Sequence, residues 1–176
     1  MKTHSVVAVA LLCLCFSVVS CDPPAKAIPV TSIPKQDWEL RQIDLTPRDS
    51  LLTGSTYLSS YSEIYVKSQH SKMKLTGTIS MRNINPKDSI FIEKAIYHKT
   101  DGTNIRSYFD KPVFLAPLET LEIIIGANDL EGGTGDNFVF EWRKPKGTHD
   151  PFFEGVFITD YGQQGISFTT RGIRIE

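Results

Sequence analysis

The sequence predicts an all-β domain, an antiparallel immunoglobulin-like β-sandwich. Three observations predict it. Between Thr56 and Thr170 apolar and polar residues alternate with a period of two over several stretches, the pattern of strands with one buried and one wet face. Turn residues punctuate those stretches at short intervals. No segment carries the 3.6-residue period of a helix. A small closed β-barrel is the alternative, because it also wraps short antiparallel strands around one core.

The strands follow in order. Thr56 to Lys67 places Tyr57, Tyr61 and Tyr65 on one face and Leu58, Ile64 and Val66 on the other. Gln69 to Lys72 is polar and reads as a turn. Met73 to Asn83 alternates, with Met73, Leu75, Gly77, Ile79 and Met81 pointing one way. Asn85-Pro86-Lys87-Asp88 is a second turn. Ile90 to Lys99 sets Ile90, Ile92 and Ile96 against Phe91, Ala95 and Tyr97. Asp101-Gly102 supplies the positive φ of a tight hairpin. Ile105 to Phe109 returns as a strand, and Leu121, Ile123 and Ile125 mark another. Phe138, Phe140 and Trp142 alternate in the next, and Phe152 to Ile158 and Ile166 to Thr170 are the last. This makes eight or so strands, with Trp142 and the phenylalanines filling the centre.

The N-terminus has a different character. Met1 to Ser5 is short and positive, and an apolar run of about fourteen residues follows, against the roughly twenty needed to cross a bilayer. That length fits a signal h-region. Val18-Val19-Ser20-Cys21 has the form of a bacterial lipobox: a branched aliphatic residue, a tolerant position, a small residue and the cysteine that takes the lipid. Cys13 and Cys15 follow leucines and fail the pattern. Residues 1–20 are therefore expected to be a lipoprotein signal peptide. Residues 21–50, carrying five prolines from Pro23 to Pro47, are expected to be a tether. Trp38, Leu40, Ile43 and Leu45 are expected to dock its later part on the domain, residues 51–176. The expected location is the bacterial cell envelope, with the domain held to a membrane through lipid on Cys21 and facing the periplasm or exterior.

Composition narrows the function. The charge is near neutral and the lysines and arginines are scattered, so nucleic-acid binding has no electrostatic footprint. No cysteine follows Cys21, which leaves the domain without a disulfide, a thiolate metal site or a cysteine nucleophile.

Candidate sites are few. Asn128 to Asn137 is an acidic, glycine-rich loop whose Asp129, Glu131, Asp136 and Asn137 offer the oxygen ligands that a hard cation takes. Its spacing matches no calcium-loop pattern, and an irregular connection with positive-φ glycines is the plainer reading. His70, His98 and His149 lie on separate segments without metal-ligand spacing, so no metal or cofactor is expected. No G-x-S-x-G occurs. Glu141 and Glu154 are the carboxylates to inspect for a hydrolase, the alternative to a non-catalytic binding or assembly module. The Gly162-Gln163-Gln164-Gly165 turn and Arg171 offer amides and a guanidinium to a ligand. If an envelope protein or a glycan binds, the expected surface joins this turn to the acidic loop.

Five stretches carry a family resemblance. They are Tyr61 to Tyr65, Ile79 to Asn83, Leu115 to Thr120, Gly132 to Phe138 with Glu141-Trp142, and Gly162 to Phe168 with Arg171-Gly172. Together they resemble the uncharacterised bacterial lipoproteins of domain of unknown function 3124, over about Gly54 to Ile173. The resemblance implies a lipoprotein and brings no activity or substrate. It also implies a small residue at position 136, where this chain has Asp136.

Overall fold

A computed structural model describes residues 37–45, 50–159 and 165–176. The fold is all-β and antiparallel. Twelve strands are described: β1 (Leu51–Ser59), β2 (Glu63–Val66), β3 (Ser68–Lys74), β4 (Thr76–Arg82), β5 (Ile90–His98), β6 (Asn104–Ser107), β7 (Val113–Leu115), β8 (Thr120–Ile125), β9 (Asn137–Pro145), β10 (Phe152–Thr159), β11 (Ile166–Arg171) and β12 (Ile173–Arg174). The larger sheet runs β12-β1-β9-β5-β6, with β7 also on β5. The smaller runs β11-β10-β4-β8, and β2-β3 is a separate hairpin. Neither large sheet closes on itself, so the architecture is a sandwich and not the barrel.

The alternating residues meet between the sheets. Leu58, Ile90, Ile92, Phe138, Phe140 and Trp142 face Leu75, Ile79, Met81, Phe153 and Phe157, each at most 1% exposed. Phe140 stacks on Phe153 at 4.2 Å between ring centroids. Trp142 lies flat across Gly54 of the neighbouring strand, where a Cβ would stand 2.4 Å from the ring. Its indole N–H donates to the Thr56 hydroxyl at 2.9 Å.

Three sequence expectations change, each for a local reason. The Thr56–Lys67 strand is broken at Ser60–Ser62, so its tyrosines do not share a face. Tyr61 packs edge-on against Phe157 and Phe168, while Tyr65 is exposed beneath the Lys72 ammonium. Gln69 to Lys72 is not a turn but part of β3, and the β2–β3 reversal falls at Lys67 with φ +63°. In β5, Ile92 faces Trp142 and Lys94 faces Glu141, which leaves Glu93 as an extra residue. That bulge shifts the alternation by one. Ala95 and Tyr97 thereby join Ile90 and Ile92 in the core, and Ile96 turns outward.

The segment before the first strand is fastened to the domain. Glu39–Arg41 forms one 3-10 turn, the Trp38 ring lies 5.2 Å from Phe109, and Gln42 bridges to Val113. Leu40 departs from the docking expectation: it is 81% exposed. The proposed signal peptide, Cys21 and the proline-rich stretch lie outside the described residues.

Candidate functional site

The acidic loop connects β8 to β9, and one of its carboxylates turns inward. Asp136 is 1% exposed. Its carboxylate accepts the Ser62 amide at 2.9 Å, the Ser62 hydroxyl at 2.8 Å and the Tyr97 hydroxyl at 3.0 Å, and it is also bonded by the Ser60 hydroxyl. Its backbone carbonyl accepts the Ser60 amide at 2.8 Å. The glycines make room for this arrangement. At Gly132 a Cβ would stand 2.1 Å from both the Asp136 carboxylate and the Tyr97 hydroxyl. The Gly133 carbonyl accepts the Ser62 and Glu63 amides, and Thr100 donates to the Gly132 carbonyl from both backbone and side chain. The loop is a clasp joining the β1–β2 link, the β5–β6 hairpin and the start of β9.

Burial raises the Asp136 carboxyl above the usual carboxylate range, against the opposing pull of the Ser60, Ser62 and Tyr97 hydrogen bonds. The Tyr97 hydroxyl is likewise pushed up by burial. Arg106, Asp129 and the Tyr108 hydroxyl are the other titratable groups near this cluster. A carboxyl whose folded pKa exceeds its unfolded one binds its proton more tightly when folded. Its ionisation therefore lowers stability as pH rises from the unfolded value, about 3.9, to the raised one. Asp136→Asn keeps the shape, and its amide can donate to Ser60 while its carbonyl accepts from Ser62. The expected result is a stability advantage of the variant over the native chain that grows from pH 4 upward and then levels. Urea unfolding across pH measures it, and a difference independent of pH would contradict the assignment.

The other candidates do not gather round Asp136. Asp129 and Glu131 are held by Arg106, at 3.0 and 2.7 Å. Asn137 starts β9 on its outward face. Arg171 stands at the opposite end of β11 from Ile166, roughly 16 Å away by strand rise, with its guanidinium over the Phe152 ring. The expected grouping of Arg171 with the acidic loop is thus corrected. Gln163 and Gln164 lie outside the described residues. The strands that flank their turn, β10 and β11, do end at the same end of the small sheet as β8, since Gly77 pairs with both Ile125 and Phe157, and Thr159 with Ile166.

The two carboxylates singled out for a hydrolase do not converge. Glu141 and Glu154 lie on the outer faces of different sheets, paired with Lys94 at 2.8 Å and Arg82 at 3.5 Å. Among the described residues no three His, Cys, Asp or Glu side chains are grouped to hold a metal ion. Of the loop's carboxylates, Asp136 is engaged by internal donors and Asp129 and Glu131 by Arg106.

The opposite end of the sandwich holds a cluster that the sequence reading treated as a turn. The Asn83 side-chain amide donates to the carbonyls of Asp88, Leu115 and Ala116 at 2.8 to 3.1 Å. Its carbonyl accepts both the backbone and side-chain N–H of Asn85 at 3.0 Å. Asn85 exchanges two bonds with the His149 backbone. Three loops are tied together by two buried asparagines.

With this geometry in view, a family model described as "Protein of unknown function (DUF3124)" matches residues 53–175. The chain belongs to that family. The match spans β1 to β12 and includes both the Asp136 clasp and the Asn83 cluster, so the DUF3124 region and the sandwich are one object. None of the curated proteins matches the chain. A crystal structure of Thermotoga maritima 1070 is similar over 68% of this chain and 92% of that one, with 9% identity and a TM-score of 0.44.

Proposed function

We propose that this DUF3124 protein is a lipid-anchored component of the bacterial cell envelope that serves in binding or assembly and not in catalysis. The observation that carries the anchor is Val18-Val19-Ser20-Cys21 after a short positive start and an apolar run too brief to span. Two acyl chains or more on one cysteine hold a protein stably where a single chain does not. Among the described residues no helix is long and apolar enough to cross a membrane. A non-catalytic role is supported by the chemistry on hand: the one buried carboxylate among the described residues is saturated with hydrogen-bond donors, and Glu141 and Glu154 point apart.

The binding surface we favour is the end of the sandwich that carries the rim of the acidic loop, with Asp129, Glu131 and Arg106. Growth of the producing cells in labelled palmitate is expected to label the native chain and to leave Cys21→Ala unlabelled. Equal labelling of the two would remove the anchor from this reading.

A further inference from the structure

We propose that the corner formed by Leu40, Ile84 and Leu118 is the surface on which the domain rests against a lipid bilayer, an inference that rests on the lipid anchor at Cys21. These three large aliphatic side chains are 81%, 47% and 68% exposed. They come from three separate segments, and Glu119 gathers them. Arg41, next to Leu40, pairs with the Glu119 carboxylate at 2.6 Å. The Asn83 amide, next to Ile84, donates to the Glu119 carbonyl at 2.9 Å, and the Leu118 amide donates to Asn85 at 3.1 Å. A scattered exposed leucine needs no explanation, but a gathered set does.

Leu118 makes the case stronger. Ala116-Pro117-Leu118-Glu119 is a β-turn closed by the Glu119 amide on the Ala116 carbonyl at 3.1 Å. Leu118 occupies its third position with φ +59°. With proline second and a positive φ third, this is the pattern of a type II turn, which selects Gly or Asn there. A leucine in that place carries both the strain of a left-handed backbone and the hydration penalty of an exposed aliphatic group. Neither is relieved by contacts within the domain, so the relief is sought outside it.

Position selects the lipid surface as occupant. Asp37, the first described residue, lines a shallow groove with Leu40, Arg41, Phe114, Ala116 and Glu119, so the described chain begins beside this corner. The stretch from Cys21 to Asp37 reaches at most roughly 55 Å fully extended. A domain tethered at this corner presents it to the bilayer more than any other part of its surface. The acidic loop, at the other end of the strands, is then directed away from the membrane and free for a partner. Aliphatic side chains at such a contact enter the boundary between headgroups and acyl chains.

The test uses the full, lipid-bearing chain in protein-free vesicles of phosphatidylethanolamine and phosphatidylglycerol. Leu40→Cys, Ile84→Cys and Leu118→Cys each receive a thiol-reactive fluorophore, with Thr103→Cys in the β5–β6 hairpin as the distant control. Mass analysis of the Cys21 peptide first establishes acylation. Spin-labelled lipids are expected to quench the fluorophore at positions 40, 84 and 118 about twofold or more beyond position 103. An unacylated Cys21 overturns the anchor and this inference together. An acylated Cys21 with equal quenching at all four positions, or stronger quenching at 103, overturns the bilayer contact alone. So does protection of position 118 that appears in whole envelopes and not in the vesicles, which would assign the corner to a protein.

Discussion

Asn83→Ala is expected to lower unfolding stability by about 3 to 4 kcal/mol, the sum of several buried polar groups losing partners at about 1–3 kcal/mol each. Asn83 is 2% exposed and speaks to three loops at once. Its removal orphans the carbonyls of Leu115 and Ala116 and both N–H groups of Asn85. Water can reach Asp88, so that carbonyl is partly compensated. For a domain of this size the change corresponds to a fall of roughly 10 °C in Tm. Asn83→Asp separates geometry from donation. It keeps the acceptor for Asn85 but places a second acceptor against carbonyl oxygens, and is expected to be worse than alanine near neutral pH. Calorimetry of the two variants decides it. If both lost less than about 1 kcal/mol, the loops would be held by something other than this asparagine.

Gly132→Ala is the second large effect, expected to be about 3 kcal/mol or more, at the upper end of overpacking in a closed core. The added methyl would stand 2.1 Å from two oxygens that are themselves bonded at 3.0 Å. Neither can retreat freely: the Asp136 carboxylate is fixed by Ser60 and Ser62, and the Tyr97 ring is stacked on Phe138 at 4.7 Å. The comparison is Gly147→Ala. Gly147 has φ +82° and nothing within 4 Å of a built Cβ, so it carries only the backbone penalty, about 1 kcal/mol. Denaturant unfolding of both variants should therefore rank crowding above backbone conformation. A Gly132→Ala chain as stable as the native one would mean that the clasp opens without loss, and the loop would then be available for ligands after all.

Both results bear on how the family motifs should be understood. Gly132 to Phe138 stands out in the sequence as a glycine-rich acidic stretch that suggests a binding site, and Ile79 to Asn83 as the end of an alternating strand. Folded, each spends most of its polar atoms on the domain itself. Polar groups in a β-sandwich must be satisfied where loops leave the sheets, because the ladders end there. Among the described residues, Glu131 and Arg106 on the outer rim of the acidic loop and Leu118 at the opposite end keep solvent-facing side chains. The aliphatic corner was missed in the sequence because a single leucine after a proline carries no periodic signal. The one available clue was a large residue at the turn position that wants glycine.

The sequence by itself determined the class of the domain and most of its core. A period of two is a property of neighbouring residues, so Phe138, Phe140 and Trp142, or Leu121, Ile123 and Ile125, declare their shared face without knowledge of any partner. The proposed lipobox at Val18 to Cys21 likewise rests on adjacent residues alone. Tertiary structure decided what depends on distant pairing. The bulge at Glu93 follows from how β5 must match β9, and it moves Tyr97 into the core. Asp136 turns inward because Tyr97, Ser62 and Ser60, which lie 39, 74 and 76 residues away in the chain, converge on it. Leu40, Ile84 and Leu118 form one corner only because Glu119 joins their segments. Alternation is written in adjacent residues, whereas the partners of a buried charge or the neighbours of an exposed leucine exist only once the sheets have closed on each other.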